Sequence, residues 1–282
     1  MFYEPGTPDV FRYEDVDDPA VGPQDVLIKV TAVGVQGGDV LRRAHGPLPR
    51  VPHIVGYQAS GVVVSVGEAV MGFAPGHRVV ATMDSGSHAE LASVPAACVW
   101  LVPDGLSLEA AAAVPIEYGT ADDCLFEFGH LESGETVLVQ AGAGGVGIAA
   151  IQLAKAAGAT VFATASSDER LGRLTEFGLD AGINYASADV VRTVRQLTDG
   201  RGVDLVVDPV GGATLETSIA ALAYRGRISW IGRAGRDDKV PEVWPLMEKN
   251  ASLTALSKQD PTRPIDCRTP IRSHRFVNSF AV

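Results

Sequence analysis

Residues 139–167, VQAGAGGVGIAAIQLAKAAGATVFATASS, run from an apolar strand through a glycine turn and a small-residue helix into a second apolar strand. Gly142, Gly144 and Gly147 fit G-x-G-x-x-G. The motif lies where its chemistry needs it, between a predicted strand at 136–141 (TVLVQA) and a predicted helix at 146–157, with Gly158 at the C′ position. Gly142 permits a tight turn, Gly144 lets backbone approach a pyrophosphate, and Gly147 lets helix and strand pack closely. The free N–H groups and positive dipole at the helix start then face the phosphates. The stretch therefore predicts a dinucleotide site.

The end of the second strand says which dinucleotide. An NAD site carries Asp or Glu there to hold the ribose hydroxyls. Here TVFATA ends in Ala165, followed by Ser166 and Ser167. No carboxylate repels a 2′-phosphate, the serine hydroxyls can donate to one, and Arg170 can pair with it. Asp168 is the competing ribose ligand, although its position suits the start of the next helix. NADP(H) is the expectation.

Outward from this unit, TVLVQA, TVFATA, AGINY (181–185), DLVVD (204–208), RGRISWIG (225–232) and SLTAL (252–256) alternate with helical stretches such as 168–177 and 188–197. Continuous apolar strands separated by helices predict a six-stranded parallel sheet covered on both faces, the doubly wound Rossmann arrangement of an α/β protein. Upstream, from Asp25 to about Trp100, short valine-rich runs broken by Gly, Pro and Asp read as all β. A helix follows at 107–114, with Asp104 or Ser107 as its N-cap. The chain of 282 residues thus divides into a β-rich domain and a doubly wound one.

A formal net charge of −11 argues against nucleic acid or an anionic membrane surface as partner. The first residues lack the basic and apolar regions of a secretory signal, and no apolar run reaches the roughly 18 residues of a spanning helix. Cys98, Cys124 and Cys267 have no CxxC spacing and read as free buried thiols in a reducing compartment. The expected location is the cytoplasm.

In order and spacing, GPQDVLIKVTAVGV, VGYQASGVVVSVGEAV, PGHRVVATMDSGSHAEL, VPIEYGTA, GETVLVQAGAGGVG, INY and DLVVDPVGG resemble the medium-chain dehydrogenase/reductase superfamily. The resemblance is closest to its zinc-free quinone oxidoreductase branch, the relatives of zeta-crystallin. It implies a GroES-like substrate and catalytic domain at 1–116 and a Rossmann NADP-binding domain at 117–256, with the active site between them. It also implies cofactor contacts from Gly142, Gly144, Gly145, Val146 and Gly147 on the pyrophosphate and from Arg170 on the 2′-phosphate, where the residues themselves already point to Ser166. Tyr185 would lie near the adenosine phosphate, and Thr120, Val210 and Gly232 would line the nicotinamide and its ribose. Where zinc-dependent relatives carry Cys and Gly-His-Glu, this chain has Gly34-Val35-Gln36 and Gly56-Tyr57-Gln58. Amide and phenol are poor zinc donors, so no metal is expected.

Without a Lewis acid, hydride transfer to an already electrophilic quinone or α,β-unsaturated carbonyl is the implied reaction. Gln36 and Tyr57 are the pocket candidates, no catalytic acid is identified, and Asp39 is expected to bind backbone in its turn. The alternatives are an enoyl-thioester reductase and an NADPH-binding protein without useful turnover. The resemblance further implies a homodimer through the last Rossmann strand. It stops within SLTAL. Residues 257–282 hold five Lys/Arg against two Asp and three prolines, and match nothing expected there. They read as an atypical tail in place of the segment that closes the first domain, as a shifted frame or truncated product would leave.

Overall fold

The computed structural model describes residues 1–48 and 50–256. These gather into two units, Met1–Ile116 and residues 117–256. The expectation for the tail at 257–282 lies outside the described residues.

The first unit holds β1 (Asp25–Val33), α1 (Gly37–His45), β2 (Gln58–Val66), β3 (Arg78–Thr82), β4 (Leu91–Pro95), β5 (Val99–Leu101) and α2 (Leu108–Ala112). Its sheet runs β4-β1-β2-β3-β5 and is antiparallel throughout. Alternation along β1 buries Val26 and Ile28, which join Val63, Val79, Ala81 and Val94 in one apolar core. α2 starts where Ser107 Oγ accepts from the Ala110 N–H at 3.1 Å, so Ser107, not Asp104, is the cap. α1 departs from the all-β expectation. Its start is fixed by Asp39, whose Oδ2 accepts from the Gln36 N–H at 3.0 Å and whose Oδ1 accepts from the distant Gly56 N–H at 3.1 Å. His45 is the exposed last residue of that helix.

The second unit comprises α3 (Pro115–Asp122), which begins in the first, then β6 (Thr136–Val139), α4 (Gly145–Ala156), β7 (Thr160–Ala165), α5 (Asp168–Leu174) and β8 (Ala181–Asn184). It continues with α6 (Val190–Leu197), β9 (Val203–Asp208), α7 (Ala213–Ala221), β10 (Leu222–Trp230), α8 (Trp244–Glu248) and β11 (Ser252–Ala255). All pairings are parallel, in the order β11-β10-β9-β6-β7-β8. The order reverses between β6 and β9, the switch point at which doubly wound sheets take their ligands. Both faces are buried. Val137, Val139, Val161 and Ala163 pack with α4 residues on one side, while Leu138, Phe162 and Val206 pack with Leu215 and Ile219 of α7 on the other.

Helix ends follow local chemistry. Gly158 (φ 84°) and Gly178 (φ 94°) take the left-handed conformation after α4 and after the short 3-10 turn that follows α5. Asp189 Oδ1 accepts from the Arg192 N–H at 2.9 Å, which starts α6 two residues later than expected. The cysteine reading is corrected in part: Cys124 is a buried free thiol, but Cys98 is disulfide-bonded. Among the described residues no helix is long and apolar enough to cross a membrane.

Candidate functional site

The carboxyl ends of β6, β9 and β10 carry three turns. The glycine turn follows β6 at the switch point. A Cβ on Gly142 would lie 2.6 Å from the Ala163 Cβ, and one on Gly147 would lie 2.6 Å from both the Ala141 and Gly142 carbonyl oxygens. Those two glycines are demanded by the protein's own packing. Gly144 is different, because its Cβ would meet only the Ala141 oxygen at 3.3 Å. The residue that turns left-handed is Ala141 (φ 50°), not Gly142. The Gly142 N–H donates to Thr164 O at 2.8 Å and the Gly144 N–H to Ala141 O at 2.9 Å. Gly145, Val146 and Gly147 open α4, and their N–H groups are the ones that helix geometry leaves without an intrahelical acceptor.

Beside this turn lies that of Val210, whose N–H donates to Asp208 Oδ1 at 2.8 Å. Gly232 belongs to the turn after β10, and a Cβ on Gly211 would lie 2.9 Å from its carbonyl oxygen. The Trp230 Nε1–H donates to that same oxygen at 2.6 Å. The turns of Val210 and Gly232 are thus neighbours.

Ser166, Arg170 and Tyr185 gather at the ends of β7 and β8. The Tyr185 N–H donates to Ala165 O at 3.1 Å, and its side chain is exposed. Ser167 caps α5, with its Oγ accepting from the Arg170 N–H at 3.4 Å. Asp168 is the first residue of α5 and accepts from Asn184 Nδ2 at 3.1 Å. One turn on, Arg173 pairs with Glu169 at 2.8 Å. The Arg170 guanidinium has no such partner among the described residues. Thr120 is half-buried on α3, the helix tied to α4 by a 2.7 Å hydrogen bond from Gln152 Nε2 to the Tyr118 hydroxyl. Sequence reasoning missed Glu117, whose Cγ would lie 2.8 Å from a Cβ on Gly145.

In the first unit, Gln36 is the residue from which α1 starts. The Tyr57 hydroxyl lies against Gly38, where a Cβ would sit 2.7 Å from it. Asp39 ties the two segments together through the Gln36 and Gly56 amides, the backbone-binding role expected of it.

An antiparallel β unit followed by a doubly wound α/β unit is the architecture of the two-domain dehydrogenases. Comparison with known proteins agrees. The family model for the alcohol dehydrogenase GroES-like domain matches residues 22–104, and that for zinc-binding dehydrogenase matches residues 145–261. The chain is 36% identical over 231 residues to a quinone oxidoreductase of Pseudomonas aeruginosa, covering 81% of this chain and 71% of that protein. It is 38% identical over 219 residues to the synaptic vesicle membrane protein VAT-1 homolog of Rattus norvegicus, covering 77% of this chain. The match takes in 54% of that relative, so the chain spans about half its length. The structure of Escherichia coli quinone oxidoreductase complexed with NADPH superposes with a TM-score of 0.87 at 26% identity, covering 99% of this chain and 87% of the other. The chain belongs to the medium-chain dehydrogenase/reductase superfamily, in its quinone oxidoreductase-like branch.

Proposed function

We propose that the protein is a zinc-independent, NADPH-dependent oxidoreductase that reduces a quinone or an α,β-unsaturated carbonyl. The observation that carries this reading is the end of β7: Ala165 and Ser166 stand where an NAD site needs an acid, and the Arg170 cation beside them is unspent. The glycine turn fits the nucleotide as well. Gly142 and Gly147 are accounted for by internal packing, whereas the openness of Gly144 suits a closely approaching pyrophosphate. Gly145, Val146 and Gly147 then donate backbone N–H groups to it. Tyr185 and Arg170 take the adenosine end, while Thr120, Val210 and Gly232 take the nicotinamide end. The NADPH bound in the Escherichia coli relative supports the same choice.

Zinc does not fit the residues present. Gln36, Tyr57 and Gln58 offer amide and phenol groups rather than thiolate, imidazole or carboxylate. Gln58 is fully buried, its Oε1 accepts from the Ile116 N–H at 3.1 Å, and a Cβ on Gly34 would lie 2.0 Å from its Nε2. Its amide is built into the fold.

Bound NADPH supplies the hydride. The chain's own contribution is orientation and hydrogen bonding. The Gln36 amide and the Tyr57 hydroxyl donate to the acceptor oxygen, where negative charge develops, and Asp39 holds the turn that carries Gln36. Solvent supplies the proton. On this reading Met1–Ile116 takes the acceptor and residues 117–256 take the cofactor. The protein is cytoplasmic, and two copies pair through β11, which among the described residues has β10 on one side only.

The test is a paired fluorescence titration with NADPH and NADH. NADPH is expected to bind at least about tenfold tighter, with Arg170→Ala removing most of the difference. Equal affinity for the two nucleotides would return Asp168 to the ribose and overturn the cofactor assignment. NADPH oxidation by a simple quinone or enal then tests the acceptor class.

A further inference from the structure

Four buried polar side chains join the glycine turn to the Val210 turn. Asp208, Ser218, Gln140 and Thr164 are all at least 98% removed from solvent. Asp208 Oδ1 accepts from the Val210 N–H at 2.8 Å and the Gly211 N–H at 2.9 Å, and its Oδ2 accepts from Ser218 Oγ at 2.7 Å. Ser218 Oγ in turn accepts from Gln140 Nε2 at 3.1 Å. Gln140 Oε1 accepts from Thr164 Oγ1 at 2.7 Å, and that hydroxyl accepts from the Ala141 N–H at 3.2 Å.

Every donor in this chain points toward Asp208. The direction follows from the bonding at its end, where both Asp208 oxygens accept, Oδ1 from two backbone N–H groups and Oδ2 from the Ser218 hydroxyl. Ser218 must therefore give its hydrogen to Asp208 and accept from Gln140. That requirement turns the Gln140 amide nitrogen toward Ser218 and its oxygen toward Thr164. Thr164 then donates to Gln140 and is left to accept from Ala141. Ala141 is the left-handed residue of the glycine turn, a conformation that costs an L-residue energy and persists where its surroundings fix it.

We propose that Gln140, with Thr164 and Ser218, is a positioning residue: the chain lets the Asp208 carboxylate hold the Val210–Gly211 turn and the Ala141–Gly147 turn as one rigid edge. This rests on the reading of those two turns as the nicotinamide and pyrophosphate contacts. None of the three side chains touches the cofactor. They set the spacing at which both halves of one dinucleotide are met.

The first variant is Gln140→Met, which keeps similar volume and removes both side-chain hydrogen bonds. Its NADPH dissociation constant is expected to rise about tenfold. Adding Ala141→Gly is expected to recover most of that loss, because glycine adopts the left-handed turn without help. A merely structural role for Gln140 would lower the melting temperature and would not be rescued by Ala141→Gly. Gln140→Met binding NADPH like the wild type, or a double variant no better than the single one, overturns the proposal.

Amide hydrogen exchange gives an independent reading without nucleotide. The Ala141, Val210 and Gly211 amides are expected in one slow class, and in Gln140→Met all three speed up together. Faster exchange at Ala141 alone would mean that the turns are uncoupled. Should Gln140→Met fail to fold, the wild-type pattern decides: a fast Ala141 amide beside a slow Gly211 amide defeats the proposal. Should the wild type bind no NADPH, the cofactor reading falls, and the exchange pattern still judges the coupling.

Discussion

The two units bury polar side chains in opposite ways. In residues 117–256 the polar interior closes on itself: Gln140, Thr164, Asp208 and Ser218 satisfy one another, and Ser229 Oγ donates to Cys124 O at 2.7 Å. In Met1–Ile116 it does not. Among the described residues, the buried side-chain nitrogen and oxygen atoms with no hydrogen-bond partner are Arg43 Nη1, both ring nitrogens of His53, Ser87 Oγ and His88 Nε2. All belong to the first unit. The difference is one of organisation. In the second unit a buried carboxylate collects donors at the strand ends. In the first, Asp39 spends its oxygens on the Gln36 and Gly56 amides and leaves these side chains unserved. An unpaired buried polar group costs about 1–3 kcal/mol, so the first unit carries a burden that the second avoids.

The largest effect that would sharpen this contrast lies in the glycine turn of the closed unit. Gly147→Ala would press a methyl group onto the Ala141 and Gly142 backbone, which cannot yield cheaply. A loss of about 3 kcal/mol is expected in urea unfolding. Gly144→Ala meets one neighbour, the Ala141 oxygen at 3.3 Å, which has to give by only a few tenths of an ångström, so the fold should survive within about 1 kcal/mol while NADPH affinity drops. If both variants lose stability alike, Gly144 is a packing residue and the ligand-facing role falls.

A matched pair of serines tests the contrast directly. Ser218→Ala would strand Gln140 Nε2 and Asp208 Oδ2 in a dry interior, with an expected cost of about 2 kcal/mol. Ser87 is as deeply buried as Ser218, yet its hydroxyl has no hydrogen-bond partner among the described residues. Ser87→Ala should therefore be neutral or stabilising. Equal losses for the two would mean that the Ser87 hydroxyl has a partner in solution, such as a buried water, and that the first unit is less open than it looks.

Sequence alone carried the second unit much further than the first. Six apolar runs between helical stretches dictated the parallel sheet, and Gly158 marked the end of α4 by purely local chemistry. α1 escaped notice because GVQGGDVLRRAH opens on two poor helix formers and presents Val40 and Leu41 to solvent, so no apolar period announces it. Its start depends on Asp39 reaching Gly56, a contact no local pattern contains. The positioning chain was partly visible. Gln140, Thr164 and Asp208 are polar residues at or near the ends of otherwise apolar strands, and only the sheet order reveals that these ends are adjacent. The glycine motif was legible as a motif, but assigning its left-handed residue to Ala141 required the backbone itself.

The smallest expected effect concerns the orphaned imidazoles. His53 is almost fully buried and packs edge-on against Phe2, with ring centroids 5.1 Å apart. Burial lowers its pKa from the ordinary value of 6.5, with the nearby Arg42 and Arg50 charges adding to the effect, and burial lowers that of His88 as well. Folding therefore favours the neutral rings. As pH falls through about 6.5, the unfolded chain takes up protons that the folded chain refuses, and stability declines until the depressed folded pKa values are passed. His53→Phe keeps an aromatic ring on Phe2 and removes two unsatisfied nitrogens, so at neutral pH it should stabilise by up to about 1 kcal/mol. It should also flatten the fall in stability as pH drops below about 6.5. Unfolding curves for wild type and variant across that range decide the matter. A variant that is less stable at neutral pH, with an unchanged acid slope, would mean that His53 hydrogen-bonds in solution. The apparent burden of the first unit would then be borne elsewhere.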